Sequence, residues 1–149
     1  GANQVWTGTV QVPWPAYNAA NGATWPALGD TDGDGRAELV VGFGTYAPSG
    51  GWTVMFDDGR QGFPRVLSWY RSGWSTYNSA NGEIHPALGN LDGDGRADLI
   101  EGTGPGGGGW IGTSRSVGRG FRRLRWVRLP WVAYNSSNGT TRPATGASR

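Results

Sequence analysis

One sixteen-residue pattern occurs three times in this chain, as WPAYNAANGATWPALG at 14–29, WSTYNSANGEIHPALG at 74–89 and WVAYNSSNGTTRPATG at 131–146. Self-similarity at offsets of 60 and 57 residues dictates an array of like units, each too small to bury its apolar face alone. The match continues beyond the pattern. DTDGDGRAELVVGFG (30–44) is followed 60 residues later by NLDGDGRADLIEGTG (90–104). Gly50-Gly51-Trp52 matches Gly108-Gly109-Trp110, Phe63 matches Phe121, and Trp69 matches Trp126. The third copy reaches Arg149 inside what would be its own Asp-rich loop.

Within a unit the apolar runs are short and bounded by turn signals, with no sustained helical period. Leu39-Val40-Val41 and Leu99-Ile100 follow Asp-Gly loops, as strands do. Trp52–Phe56 is rich in β-formers and runs into the hairpin signal Asp57-Asp58-Gly59. Val66–Tyr70 closes the unit, and Pro26-Ala27-Leu28 opens it. Glycine supplies 28 of 149 residues while aromatics still make up 12%, so the glycine reads as turn chemistry between strands rather than disorder. Four short antiparallel strands per unit describe a blade of a β-propeller, an all-β fold. A β-solenoid or an array of small sandwiches would need shorter or longer repeats respectively.

On that reading residues 14–73 and 74–130 are two full blades. Residues 1–13, with Val5 to Val12 extended, supply the outer strand of a shared blade, and 131–149 supply the first strand of another. The chain then holds ten strands, about two and a half blades. Closed propellers need roughly four to eight. The expectation is a ring closed by homo-oligomerisation, with a dimer of five blades preferred; the other reading is a segment of a longer propeller chain.

The Asp-rich loops carry the strongest chemical signal. Asp30, Asp32, Asp34 and Glu38 occupy loop positions 1, 3, 5 and 9; Asn90, Asp92, Asp94 and Asp98 repeat the spacing. Alternating oxygen donors on a tight glycine-bearing loop suit Ca²⁺, which takes six to eight oxygens in a flexible shell. Arg36 and Arg96, at position 7, would contribute backbone carbonyls, giving two Ca²⁺ sites per chain. The other reading is a polar hairpin held by Gly and Asp turn preferences. An EF-hand is excluded, because position 12 is Val41 in the first loop and strands rather than helices flank both. Glu101 stands at position 12 of the second loop without a counterpart and reads as coincidental.

The DxDGDGRxEL loop, followed by a short strand and Val41-Gly42-Phe43-Gly44, resembles the FG-GAP/VCBS repeats of integrin-type propellers. The Tyr-Asn, Pro-Ala-Leu-Gly-Asp and Gly-Gly-Trp elements are similar to those of the Psathyrella velutina lectin family. The departures are too few blades for a seven-bladed monomer and Thr103 where the first unit has Phe43. The resemblance implies sugar pockets between neighbouring blades and a secreted or cell-surface location.

Candidate glycan-binding residues follow from the motif Trp-x-x-Tyr-Asn-x-x-Asn-Gly, found at Trp14, Tyr17, Asn18 and Asn21, at Trp74, Tyr77, Asn78 and Asn81, and at Trp131, Tyr134, Asn135 and Asn138. Aromatic faces stack on sugar rings and Asn amides pair with hydroxyls; the same residues could equally fill the wedge between blades and form its turn. Trp25, His85 and Arg142 each precede Pro-Ala and form the one variable position in a constant setting, a candidate for specificity. Trp52 and Trp110 read as blade core.

All thirteen basic residues are Arg, and six of them fall between Arg115 and Arg128; within that run Phe121–Arg128 reads as an outer blade strand. Charge on an edge strand guards against stray pairing; the same run would also suit an anionic glycan or phosphate. The other blade's outer strand has only Arg65 and Arg71, which argues against nucleic acid as a partner. No apolar run approaches the ~20 residues of a membrane helix, so no membrane insertion is expected. With no Cys, no Lys, one His and seven of eleven acids in the loops, the chain is poorly equipped for catalysis and is read as not an enzyme. The expected function is a calcium-stabilised lectin, the alternative a structural or protein-interaction propeller segment.

Overall fold

The computed structural model describes residues 24–43, 52–56, 63, 65–71, 84–102, 110–130 and 143–145. Among them the chain is all-β, with eight strands: β1 (Thr24–Gly29), β2 (Glu38–Phe43), β3 (Trp52–Phe56), β4 (Val66–Arg71), β5 (His85–Gly89), β6 (Asp98–Gly102), β7 (Trp110–Ser116) and β8 (Phe121–Arg128). They form two four-stranded antiparallel sheets, β1-β2-β3-β4 and β5-β6-β7-β8. Among the described residues, each of the two full repeat units therefore contributes one four-stranded antiparallel sheet with its strands in sequence order. The segment Val5–Val12, the turn Asp57-Asp58-Gly59 and residues 131–142 lie outside the described residues.

The two sheets share their register. Gly29 pairs with Glu38 where the first Asp loop closes, and Gly89 pairs with Asp98 where the second does. The third ladder shifts at the same place in both, between Met55 and Phe56 and between Thr113 and Ser114. A shared bulge is a property of the unit's design rather than a defect.

The sheets stack face to face, and their facing residues form the core. Val40 and Met55 of the first sheet meet Leu88 and Leu99 of the second, with Ala27, Leu67, Ala97 and Phe121 packed around them. Glycine permits the close approach at two points. A Cβ on Gly29 would lie 2.8 Å from Leu88 Cβ, and one on Gly42 would overlap the main-chain carbonyl oxygen of Ile84. Gly42→Ala is accordingly expected to destabilise by about 1–3 kcal/mol, although Gly→Ala in an open strand position favours folding. Urea unfolding checks the sign; a gain in stability would mean that the sheets are not packed this closely.

The stacking recurs one unit later. Beyond the second sheet, Thr145 of the third copy occupies the space a Cβ on Gly89 would need, its Cγ2 2.8 Å from that position. Its hydroxyl donates to the Leu88 carbonyl at 2.6 Å. Leu28, on the face of β1 turned away from the second sheet, is 58% exposed, whereas its repeat counterpart Leu88 is 7% exposed.

Candidate functional site

The first Asp loop is built on its own carboxylates. Asp30 accepts from Gly33 N–H at 2.7 Å and from Gly35 N–H at 2.8 Å; Asp32 accepts from Asp34 N–H at 3.1 Å and Asp34 from Arg36 N–H at 2.9 Å. Gly33 and Gly35 adopt φ of 87° and 85°, a left-handed backbone that side-chain-bearing residues rarely take, and so the loop requires glycine there. This geometry brings one carboxylate oxygen each of Asp30, Asp32 and Glu38 within 4.8 Å of one another. Glu38 is buried, and its Oε2 accepts from Thr31 N–H at 2.6 Å and lies 2.7 Å from the Thr31 hydroxyl. Burial raises the Glu38 pKa above the ordinary carboxylate value, against the pull of the Thr31 hydrogen bonds. Three converging carboxylates fit a hard cation, which would relieve their mutual repulsion and the cost of the buried charge.

The second loop has the same backbone and a different charge balance. Gly93 N–H donates to Asn90 Oδ1 at 2.7 Å, and Gly93 and Gly95 again adopt positive φ. Asn90 replaces the first carboxylate with a neutral amide. Asp92 is ion-paired with Arg115, whose pKa is raised by that hydrogen bond. Asp94 is gripped by its own loop, from Arg96 N–H and from the Arg96 guanidinium at 2.9 Å, which lowers its pKa. Asp98 accepts from Leu91 N–H at 2.9 Å and Ser116 N–H at 2.8 Å. Of the two expected metal loops, only the first brings three carboxylates together.

The first loop is also sewn to the neighbouring sheet. Ala97 N–H donates to the Asp30 carbonyl at 2.6 Å, and Ser116 Oγ donates to the Thr31 carbonyl at 2.5 Å. The Thr31 hydroxyl lies 3.1 Å from the Gly118 carbonyl oxygen, so Glu38 and Gly118 share its single proton. Sequence reasoning missed Thr31, Ser116 and Gly118. For the first, the sequence shows a departure between the copies, Thr31 against Leu91; Thr31 is fully buried, while Leu91 is 46% exposed.

Two of the candidate ligand residues are described, and they meet. The Trp25 and His85 rings lie 4.0 Å apart, tilted by 46°, across the seam between the sheets. His85 is buried. Trp14, Tyr17, Asn18, Asn21, Trp74, Tyr77, Asn78, Asn81, Trp131, Tyr134, Asn135, Asn138 and Arg142 lie outside the described residues. Trp110 is half-buried, with the Arg128 guanidinium 5.5 Å from its ring centroid.

Glu101 has a role that its sequence position did not suggest. It is fully buried and ion-paired with Arg123, Oε2 to Nη2 at 2.6 Å. Arg123 reaches it from β8 across β7, passing over Gly112, where a Cβ would overlap the guanidinium. The guanidinium also stacks on Trp126, 4.4 Å from the ring centroid. Of the six clustered arginines, Arg115 and Arg123 thus carry acidic partners, while Arg122 and Arg125 are exposed on the edge strand β8.

No family model, curated protein or solved structure matches this chain. Among the described residues, no helix is long and apolar enough to cross a membrane.

Proposed function

We propose that this chain is a calcium-stabilised, carbohydrate-binding segment of a β-propeller, secreted or at the cell surface. Its two sheets are neighbouring blades, and further copies of the chain complete the ring. Glycans bind in the connections between blades through the repeated Trp, Tyr and Asn residues, with Trp25, His85 and Arg142 tuning the choice of sugar. Asp30, Asp32 and Glu38 hold Ca²⁺, with Asp34 and the Arg36 carbonyl completing its shell; the second loop, Asn90 to Asp98, binds a second ion more weakly. The role of the ions is to fix the blades, and the protein acts by binding rather than catalysis.

The observation that carries the metal reading is the convergence of three carboxylates, one of them buried, on a loop bonded to the next sheet. The glycan reading rests on the threefold aromatic and Asn motif and the resemblance to propeller lectins. Repetition of a weak site would raise avidity without new contacts.

A glycan array with the calcium-loaded protein tests the sugar reading. Binding to a defined set of glycans is expected, and Tyr77→Ala should weaken it at least tenfold without changing the melting temperature by more than a few degrees. If the assembled protein binds no glycan, the lectin reading is wrong. One observation favours the alternative of a structural or protein-interaction segment: His85 is 5% exposed and packed against Trp25, which suits an inter-sheet spacer. On that alternative His85→Ala would lower stability and leave every binding profile flat.

A further inference from the structure

The segment from Trp110 to Pro130, which forms β7, its turn and β8, holds six Arg and no Asp or Glu. Two of the six meet acids from elsewhere, Arg115 with Asp92 and Arg123 with Glu101. Arg119, Arg122 and Arg125 are exposed and have no acidic partner among the described residues. Apolar side chains are interleaved with them. Val117 is 57% exposed, Leu124 52% and Val127 37%. The hairpin therefore shows solvent two chemistries at once, cationic and greasy.

Comparison with the first sheet shows that this surface is not the unit's default. Register places Thr113 opposite Arg125 where β3 and β4 place Met55 opposite Ser68, and Leu124 is the extra residue of the bulge, as Leu67 is. Met55 is buried in the core between the sheets, and Leu67 packs against that core. On the second sheet the same face carries a hydroxyl beside Arg125, and it sets Arg122 opposite Arg115. Covering it with another apolar sheet would bury cations without partners, at high cost. Like charges directly opposite on neighbouring strands also repel, and an anionic surface relieves that repulsion. Protection of an edge accounts for charge on β8. It does not account for Leu124 and Val127 left bare on the same strand.

We infer that the β7–β8 hairpin is a docking surface for an anionic phospholipid bilayer, on which the protein lies without crossing it. The guanidiniums pair with headgroup phosphates, while Leu124 and Val127 reach the boundary of the acyl chains. A polyanion in water would leave those apolar side chains unused. Single-stranded nucleic acid in particular is bound by stacking bases on aromatic rings. The aromatics of β8, Phe121 and Trp126, lie on the opposite face, the one that carries Arg123. β8 is the outermost strand of its sheet, so the surface stays at the rim of a propeller and does not depend on how a ring is closed.

The test is co-sedimentation of the 149-residue chain, in the presence of Ca²⁺, with phosphatidylcholine vesicles containing phosphatidylserine. Binding is expected to these vesicles and not to pure phosphatidylcholine, and it should weaken as salt screens the charges. Arg122→Gln combined with Arg125→Gln should weaken it about 25-fold, about fivefold for each charge. Leu124→Ser should weaken it about fivefold through lost apolar contact. All three side chains are exposed, so the variants should keep the parent's circular dichroism spectrum. Arg65→Gln, which removes the repeat counterpart of Arg122 from the first sheet, should bind like the parent. No binding to the anionic vesicles overturns the inference, as does equal binding to neutral ones. So does full binding by either the double arginine variant or Leu124→Ser, or an equal loss in Arg65→Gln. Competition by single-stranded DNA together with full binding by Leu124→Ser would identify a polyanion as the occupant instead. Vesicles of these lipids carry no sugar, so failure here leaves the lectin reading standing, and failure of the glycan array leaves this one.

Discussion

Replacing Arg123 by Ala is expected to cost about 3–5 kcal/mol, because it removes one member of a buried ion pair and leaves the other behind. Glu101 is 0% exposed and lies on the face where the two sheets meet, so neither water nor a nearby rotamer offers an easy refuge. The loss of the guanidinium from Trp126 adds to the damage. In a chain of this size the change corresponds to a fall in melting temperature of roughly 6–20 °C. The first sheet supplies a control. The register Glu101↔Gly112↔Trp126 in β6, β7 and β8 matches Val41↔Val54↔Trp69 in β2, β3 and β4, and Arg123 stands where Val66 does. The triple variant Glu101→Val, Gly112→Val, Arg123→Val installs the first sheet's apolar row in the second. Buried pairs replaced whole by apolar residues of suitable volume are often neutral or stabilised, so most of the loss should be recovered. Thermal unfolding of parent, single and triple variants decides the matter. A single variant within about 1 kcal/mol of the parent would show the pair to be solvated.

Removing divalent ions is expected to lower the melting temperature, and restoring Ca²⁺ to about 100 times its dissociation constant should return about 2.7 kcal/mol. That is a rise of roughly 5–11 °C for a domain of this size. The cluster of Asp30, Asp32 and Glu38 localises the effect. Asp32→Asn should abolish most of the calcium-dependent rise, whereas Asp92→Asn should change it little, because Asp92 is already neutralised by Arg115. Calorimetric titration should resolve a tighter and a weaker site per chain. A melting temperature indifferent to both chelator and Ca²⁺ would remove the metal from the account.

The strands were legible in the sequence because repetition amplified weak local signals. Trp52–Phe56 alone is a short apolar run; matched to Trp110–Ser116 in a second unit, it is a strand with a known neighbour. The two Asp-Gly loops were legible for the same reason, and their glycines at positive φ are what the turn demands. What could not be read locally was the difference between the copies. Arg123 and Glu101 are 22 residues apart, and the space that joins them is the missing side chain of Gly112. Nothing in the immediate surroundings of Glu101 points across two strands. The unequal charge balance of the loops was equally hidden, because Arg115 lies a hairpin away from Asp92. Comparison of the units position by position holds the clue, since Val41, Val54 and Val66 change together into Glu101, Gly112 and Arg123.

That exchange has a consequence for how a chain of near-copies avoids scrambling itself. Repeat proteins risk pairing a strand with its look-alike in another unit, since the turns and apolar runs alike would accept the swap. If β6 took β3 as its partner, Glu101 would face Val54 in an apolar row, with no gap through which Arg123 could reach it. The wrong topology would leave a carboxylate unpaired in the core, at a cost of about 3–5 kcal/mol. A charged row in one sheet, where the other has an apolar one, therefore disfavours pairing of β6 with the look-alike strand.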